Sequence, residues 1–203
     1  HCGQGLPVPG EDGEVAGESR NRVDVLVRPE GLRPEARLEV VRLIRAGCGA
    51  VDVDRAELPL SPLPEDDIHV EAQAISGLVL TMTAAQELHR HVGGVHAAAL
   101  FSCDGELVAL CEDVGRHNAV DKAVGYCLLN GIPLADKLLL CSGRLSYEMV
   151  TKAIRVGIPI LLSMSAPTEL GVQFAQRLNL TIAGYVRGSR MTIYTHPRRL
   201  GLG

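Results

Sequence analysis

Three polar turns in this sequence have the residue types that bind an anionic ligand. The densest lies at 112–122 (EDVGRHNAVDK), where an apolar strand pattern ends and a helical pattern begins. Similar turns occur at 141–146 (CSGRLS) and 163–168 (SMSAPT). Backbone N–H groups at helix N-termini, next to the carboxyl ends of strands, attract phosphate groups. Because all three turns would open on one edge of a parallel sheet, together they indicate a nucleotide or another phosphorylated ligand.

The first turn can also be read as ordinary helix capping. Gly115 would let a ligand approach the backbone closely, and Arg116 and His117 would add hydrogen-bond donors. The alternative is a capped helix in which Asp113 is the cap. The polar groups around this turn outnumber those that a cap requires, yet both interpretations stay open from the residues alone.

A fourth polar segment comprises Tyr185, Val186, Arg187, Gly188, Ser189 and Arg190. Its two arginines flank a Gly-Ser turn between two strand patterns, and paired guanidinium groups suit a pyrophosphate. Tyr185 could stack on a base. The alternative is an exposed hairpin with solubilising arginines, but no acidic residue occurs between Leu170 and Gly203, which favours an anion.

Cys48 differs from the other five cysteines because it lies between two glycines where a helical pattern ends. An accessible thiol in a mobile loop is what sulfur-transfer or redox chemistry needs. The residues alone favour the alternative, a chance surface cysteine. The cysteines form no CxxC pair, and most of them are expected to be buried and inert. A Cys103–Cys111 disulfide is not expected across a hairpin turn at Asp104-Gly105.

Several known site types have no match in the sequence. There is no GxxxxGK[ST] phosphate loop and no GxGxxG after a strand pattern. His89 and His91 would point to different faces of a helix, and no PCxxC follows a His-x-Glu as in zinc deaminases. We therefore predict no metal site.

The charge distribution narrows the class of partner. Lys and Arg number 20 and Asp and Glu 24, a net charge of −4 that does not suggest a nucleic-acid partner. Five of those basic residues lie after Leu170, in a segment without acids. No apolar run reaches the roughly 18 residues of a membrane helix, and the first residues lack a signal-peptide pattern. We expect a soluble cytoplasmic protein with no membrane partner.

Hydrophobic periodicity predicts an α/β protein. A strand over 22–27 and a helix over 34–45 come first, and a proline-rich acidic stretch at 58–67 marks a boundary. The rest alternates between helices and strands, which favours a three-layer αβα core over roughly 70–200. The expected strands are 96–102, 106–110, 137–141, 158–163, 180–186 and 191–195. The expected helices are 72–91, interrupted around Thr81 and Thr83, then 116–129, 146–156 and 167–178, the last with Pro167 in its first turn.

The chain resembles the FdhD family of formate dehydrogenase accessory sulfurtransferases. The resemblance is close over about 70–200 and looser over 22–50. The segments that carry it are GGVHAAALF at 93–101, DVGRHNAVDK at 113–122, SGRLSYEMVTKA at 142–153, SAPTELGV at 165–172 and VRGSRMTIYTHP at 186–197.

The resemblance implies a fold and a function. The family's catalytic domain is similar to the cytidine deaminase fold without its zinc site, which would place a truncated or divergent N-terminal portion at 1–67 and a cofactor-binding domain at 68–203. Its members accept a persulfide from a cysteine desulfurase and pass the sulfur to the molybdenum of the bis(molybdopterin guanine dinucleotide) cofactor of apo formate dehydrogenase. By resemblance Cys48 would carry the persulfide, the segment 185–190 would hold the cofactor, GDP would bind as its fragment, and the protein would form a homodimer.

The chain departs from the family pattern at one site position. The family's persulfide cysteine belongs to a Cys-x-x-Cys loop, whereas the second position here is Val51. A cofactor-binding chaperone without sulfur transfer is therefore the alternative, and a nucleotide-binding domain unrelated to molybdenum is a third. Under the first hypothesis the following residues would make secondary polar contacts to the cofactor: Arg116, His117, Arg144 and Lys152.

Overall fold

The computed structural model describes residues 60–188 and 190–202 of the chain. The strand and helix predicted for 22–45, Cys48 and Val51 lie outside the described residues. So does Ser189 at the tip of the predicted arginine hairpin.

Six strands form a single sheet in the described part of the chain. Their bounds are β1 His96–Ser102, β2 Leu107–Asp113, β3 Lys137–Cys141, β4 Ile160–Ser163, β5 Thr181–Arg187 and β6 Arg190–Thr195. They lie in the order β2-β1-β3-β4-β5-β6. The predicted hairpin at 96–110 is confirmed, although β2 continues to Asp113, so that Glu112 and Asp113 belong to the strand rather than to the turn after it.

The sheet is mixed, which corrects the expectation of a parallel sheet. Strands β3, β4 and β5 are parallel to one another, whereas β1 is antiparallel to both of its neighbours, β2 and β3. Because β2 and β3 are both antiparallel to β1, β2 runs in the same direction as β3. The strands β2, β3, β4 and β5 therefore all end at one edge of the sheet, where β1 begins. We call this the carboxyl edge.

The described part of the chain has five α-helices, four of which pack on the two faces of the sheet. They are α1 Ile75–Ala85, α2 Leu88–Val92, α3 Arg116–Leu129, α4 Tyr147–Arg155 and α5 Glu169–Arg177. Helices α3, α4 and α5 supply one hydrophobic core and α1 supplies the other. In the fully buried strand β3, Leu139 belongs to the first core, while Leu138 and Leu140 belong to the second, as a period of two requires. The predicted three-layer α/β architecture is confirmed.

The long helix predicted for 72–91 is broken, but not at the threonines. Thr83 stays within α1, its hydroxyl donating to the carbonyl of Val79 at 2.8 Å. The break lies at Gln86 and Glu87, where the buried Glu112 carboxylate accepts the N–H groups of Glu87, Leu88 and His89 at 2.8 Å each. Burial raises the pKa of Glu112, but these backbone donors outweigh it and leave the pKa lowered.

Helix α5 starts later than predicted because Pro167 pairs with another segment of the chain and does not enter the helix. Pro167 forms a parallel bridge with Leu145, and Thr168 is the N-cap, its hydroxyl accepting the N–H of Gly171 at 3.2 Å. Ser146 occupies the N-cap position of α4, as predicted, but its side chain makes no capping hydrogen bond to the helix. None of the helices among residues 60–188 and 190–202 combines the length and apolar character that crossing a membrane requires.

An ion pair fixes residues 63–70 to the end of the chain. Arg199, which is 3% exposed, donates from Nη2 to Asp66 Oδ2 at 2.7 Å and from Nε to Oδ1 at 2.9 Å. Its Nη1 donates to the carbonyl of Asn179 at 2.7 Å. The guanidinium therefore joins the segment before α1, the α5–β5 turn and the 3-10 helix Pro197–Leu200 in which it lies.

Candidate functional site at the carboxyl edge

The three polar turns of the sequence meet at the carboxyl edge. The turn at 114–115 follows β2, the turn at 142–146 follows β3, and the turn at 164–168 follows β4. Strand β5 ends at the same edge and continues into the arginine hairpin. Anion-binding turns were expected on one edge of the sheet, and the mixed topology preserves that arrangement because the reversed strand β1 contributes its beginning rather than its end.

Hydrogen bonds join the turns after β3 and β4 and the end of β5 into one connected surface, which we call the floor of the site. The Ser163 hydroxyl donates to the carbonyl of Gly143 at 2.7 Å and accepts the N–H of Ser165 at 2.9 Å. The carbonyl of Ser165 in turn accepts the N–H of Tyr185 at 3.0 Å. Ser163 is fully buried, so these bonds are not exchanged with water. The ends of β3, β4 and β5 are thereby held in a fixed relation.

Asp113 braces the first turn but is not the N-cap of α3. Its Oδ1 accepts the N–H of Gly115 at 2.8 Å and the Nδ2–H of Asn118 at 3.0 Å. Lys122 pairs with its other oxygen, and these donors lower the pKa of Asp113 to about 2, with the Lys122 hydrogen bond contributing most. The N-cap is Gly115, which offers no side-chain cap. The interpretation of Asp113 as the cap is therefore wrong.

His117 lies among charged groups from two helices. Burial lowers its pKa, and the positive charges of Arg116 and Lys152 lower it further, against the opposing carboxylates of Glu148 and Asp121. Lys152 is paired with Asp121, which links α4 to α3. Of the predicted secondary contacts, Arg116, His117 and Lys152 thus lie at the α3–α4 end of the edge. Arg144 is exposed on the turn after β3.

Gly184 provides the closest backbone approach in this floor. A Cβ at this position would lie 2.8 Å from Pro167 Cδ and 2.9 Å from the carbonyl oxygen of Ser165. Real Cβ atoms do not approach so closely, and a backbone carbonyl cannot rotate away as a long side chain can. Glycine at this position therefore lets β5 lie directly against the turn after β4.

We expect Gly184→Ala to lower the free energy of unfolding by about 1–3 kcal/mol, the usual cost of overpacking a filled site. The matched control is Gly125→Ala in the middle of α3, where an added Cβ meets nothing within 4 Å. Alanine there should instead stabilise the helix by about 0.5–1 kcal/mol. Urea unfolding of both variants checks the prediction, and equal stability of the two would contradict it.

The hairpin between β5 and β6 carries the predicted cofactor residues. Tyr185 has a left-handed backbone conformation, with φ of 53°, and its side chain is 47% exposed. Non-glycine residues adopt this conformation at a cost of about 1–2 kcal/mol, and such strain clusters at ligand sites. The ladder is bulged between Gly184 and Arg187, which turns Tyr185 out of the regular pairing.

The two arginines of the hairpin lie opposite one another. Arg187 pairs with Arg190 across the ladder, and Gly188 at the tip has a φ of 53°. Both arginines are exposed, and within the described residues neither has a carboxylate partner. Val186 is buried against the core beside α1 and anchors the hairpin.

Grooves flank the hairpin on both sides. One, of about 380 Å³, lies between the hairpin and residues 72–76 and is lined by Gln73, Ser76, Val186 and Arg190 among others. The other, more open and about 1000 Å³, runs along β6 and includes Tyr185, Arg187 and Arg190. A ligand anion on the arginines would thus have both a polar and an apolar surface beside it.

Three of the four described cysteines have a raised pKa, which makes them poor nucleophiles. Burial raises the pKa of Cys141 to about 12, and it also raises the pKa of Cys127 and Cys103. Cys111 is buried. Cys103 is the most accessible of these four, yet its thiol donates to the carbonyl of Asp136 and the Asp136 charge raises its pKa further. The predicted inert role of these thiols agrees with this geometry, and Cys103 and Cys111 form no disulfide.

His96 is a site residue that the sequence did not single out. It begins β1, and because β1 runs opposite to its neighbours, that beginning lies among the ends of the other strands. Its Nδ1 lies 3.2 Å from the Ser142 hydroxyl. A histidine at the first position of an apolar strand was the one signal available, and the direction of β1 was needed to interpret it.

Comparison with known proteins gives a consistent picture. Residues 11–201 match the model of the FdhD/NarQ family. A protein named sulfur carrier protein FdhD from Thermoplasma acidophilum is 48% identical over 134 residues, covering 66% of this chain and 48% of the relative. The protein of the same name from Thermoplasma volcanium is 38% identical over 178 residues, covering 88% of this chain and 64% of the relative.

A solved structure is also similar. It is the crystal structure of a protein assigned as a formate dehydrogenase accessory protein from Desulfotalea psychrophila, with 33% sequence identity and a TM-score of 0.64. The similarity covers 69% of this chain and 60% of that one. The chain spans between about half and two thirds of the length of the relatives named above. With a family match over 11–201 and these relatives, the chain belongs to the FdhD/NarQ family.

Proposed function

We propose that the protein carries sulfur for the molybdenum cofactor of formate dehydrogenase and binds that cofactor, as its substrate, on the β5–β6 hairpin. The observation that carries the binding half is the pair of exposed arginines, Arg187 and Arg190, with no carboxylate partner among the described residues. The names of the relatives support the sulfur-carrier half. The proposal that the protein is an enzyme, a sulfurtransferase, is more specific than the name sulfur carrier that its relatives have.

The donor set of the hairpin suits a guanine dinucleotide. Two guanidinium groups facing each other across a ladder can each donate two hydrogen bonds to a pyrophosphate. The exposed ring of Tyr185, held out of the ladder by its backbone conformation, offers a face on which a base can stack. Val186, Gly188 and Ser189 complete the proposed cofactor segment.

Sulfur loading would take place on Cys48. Its thiolate attacks the outer sulfur of a persulfide on a cysteine desulfurase, the donor S–S bond breaks, and the donor cysteine leaves as a thiolate. The outer sulfur keeps its proton, so the exchange consumes neither electrons nor further atoms. Later release of that sulfur as sulfide needs two electrons, which a thiol reductant supplies on oxidation to a disulfide.

A lone cysteine is sufficient for this exchange. Attack on a persulfide requires one thiol, and Val51 removes only the chance of an internal disulfide with the neighbouring position. The alternative of a chaperone that binds the cofactor without carrying sulfur is therefore not favoured, given relatives named for sulfur carriage. The partners under the proposal are a cysteine desulfurase and apo formate dehydrogenase, with a homodimer as the expected assembly.

Calorimetry with GDP as a cofactor fragment tests the binding site. We expect Arg187→Ala and Arg190→Ala each to weaken GDP binding roughly ten- to hundredfold, because each loses a charge-assisted contact worth about 1.5–3 kcal/mol. Tyr185→Phe should keep the affinity and Tyr185→Ala should lower it. Arg155→Ala, an exposed arginine at the far end of α4, is the matched control and should bind as the unmodified protein does.

Two outcomes would contradict this placement. Unchanged GDP affinity in both arginine variants would show that the nucleotide lies elsewhere. Equal weakening in Arg155→Ala would show that general surface charge, rather than the hairpin, attracts the nucleotide.

A further inference from the structure

A second group of donors converges at the carboxyl edge, around Gly143 and away from the hairpin. A Cβ on Gly143 would lie 2.9 Å from Arg116 Cβ, 3.0 Å from Arg116 Cδ and 3.3 Å from His96 Nδ1. The stem of Arg116 and the ring of His96 are therefore both packed against the same glycine. Residues from three elements, β1, α3 and the turn after β3, meet at this point.

The hydrogen bonds around Ser142 favour one tautomer of His96. The Ser142 hydroxyl oxygen accepts the N–H of Ala97 at 2.9 Å and lies 3.2 Å from His96 Nδ1. Among the described residues Nδ1 is the acceptor that this hydroxyl has within hydrogen-bond distance, so its proton is directed to Nδ1. The proton of the neutral ring is then on Nε2.

The surroundings of His96 favour this neutral form. Burial lowers the pKa of His96, and the positive charge of Arg116 lowers it further. Within residues 60–188 and 190–202, Nε2 has no hydrogen-bond partner, and the residue is half-buried. The ring therefore holds one fixed N–H donor beside a guanidinium, a combination that suits an oxyanion.

This cluster is too far from the hairpin to share one pyrophosphate with it. Strands β1, β3, β4 and β5 are consecutive neighbours, so their ends are separated by three strand spacings, or ~14 Å. The distance between two adjacent phosphate groups is much shorter than that. The hydrogen-bonded floor through Ser163 and Ser165 fills the distance between the two places and keeps it constant.

We propose that His96 and Arg116, with Ser142 orienting the His96 ring, form a second oxyanion subsite, which takes a different part of the same extended ligand from the part held by Arg187 and Arg190. The identity of that ligand rests on the proposed function, whereas the subsite itself rests on the geometry around Gly143. The oxyanion is either a second phosphate group of the cofactor or an oxo group on the cofactor's molybdenum.

Nuclear magnetic resonance of the histidine ring nitrogens in the full chain tests the subsite. We expect His96 to carry its proton on Nε2 at neutral pH and to shift saturably on titration with inorganic phosphate or with molybdate. The tighter of the two probes identifies the source of the oxyanion. His96→Ala should weaken binding of that probe at least roughly tenfold, as loss of a charge-assisted donor does, while His96→Gln, which keeps a donor, should retain most of the affinity.

The controls separate this inference from the proposed function. His91→Gln changes an exposed histidine on α2 and should leave probe binding unchanged. The double variant Arg187→Ala/Arg190→Ala should still bind the probe at His96. Failure of GDP to bind the unmodified protein would count against the proposed function alone. Absence of a His96 shift with both probes, or unchanged affinity in both His96 variants, would overturn the subsite.

Discussion

Replacement of Cys48 by alanine should abolish persulfide loading. When the protein is incubated with a cysteine desulfurase and cysteine, we expect intact-mass spectrometry to show the added mass of one sulfur atom on the unmodified chain and none on Cys48→Ala. The reason is chemical. Persulfide formation needs a thiolate, and the described thiols with a resolved pKa shift have their pKa raised rather than lowered.

Cys103→Ala is the matched control for this experiment. Cys103 is the most accessible of the four described cysteines, so it is the thiol that would react if accessibility alone decided. Its hydrogen bond to the carbonyl of Asp136 and the nearby carboxylates stabilise the protonated form, so Cys103→Ala should load as the unmodified chain does. Cys2, outside the described residues like Cys48, is replaced in a third variant.

The loading experiment has clear contrary results. Full loading of Cys48→Ala would show that another cysteine carries the sulfur. Loss of loading in Cys2→Ala or in Cys103→Ala would then identify that cysteine. No added sulfur on the unmodified chain would remove the sulfur-carrier proposal and leave the cofactor-binding chaperone.

Removal of the Asp66 carboxylate should produce the largest loss of stability. We expect Asp66→Ala to lower the free energy of unfolding by about 3 kcal/mol, because it leaves the guanidinium of Arg199 buried without its counter-charge. Arg199 is 3% exposed and Asp66 keeps 19% side-chain exposure, which places the cost near the lower end of the range for broken buried pairs. Urea unfolding of the full chain measures it from the shift in midpoint.

Glu65→Ala is the natural comparison because it removes the adjacent carboxylate. Glu65 pairs with Arg198 at 3.6 Å, and the two side chains are 85% and 66% exposed. Exposed pairs contribute about 0–1 kcal/mol, so this variant should unfold close to the unmodified chain. If the two variants lost equal stability, burial of Arg199 would not be what makes the Asp66 pair important.

Local patterns were sufficient to predict much of the sheet and its helices. The bounds of β1, α3 and β3 match the prediction because each has a continuous apolar or periodic run that ends at a polar turn or at glycine. The carboxyl edge was also predictable, since polar turns after successive strands collect where those strands end. The antiparallel direction of β1 does not change this prediction, because β2 runs in the same direction as β3, β4 and β5.

Features that depend on distant residues were not predictable. The helix break at Glu87 is made by Glu112, which lies 25 residues further along the chain. The start of α5 depends on the bridge from Pro167 to Leu145, and the engagement of Lys152 depends on Asp121 in another helix. His96 became a site residue only through the direction of its strand. In each case the deciding partner is remote in sequence and lacks a local pattern.

The position of the proposed cofactor hairpin, β5–β6, at the margin of the sheet has a consequence for redesign. Among the residues that the structure describes, strand β6 has a hydrogen-bonded neighbour on one side, and its ladder with β5 already contains two irregularities. A change of hairpin length or of its arginines would therefore disturb a single ladder and leave the pairing of β1, β3 and β4 intact. Ligand preference can be altered at β6 largely independently of the fold, whereas the His96 end, enclosed between two strands, admits little such freedom.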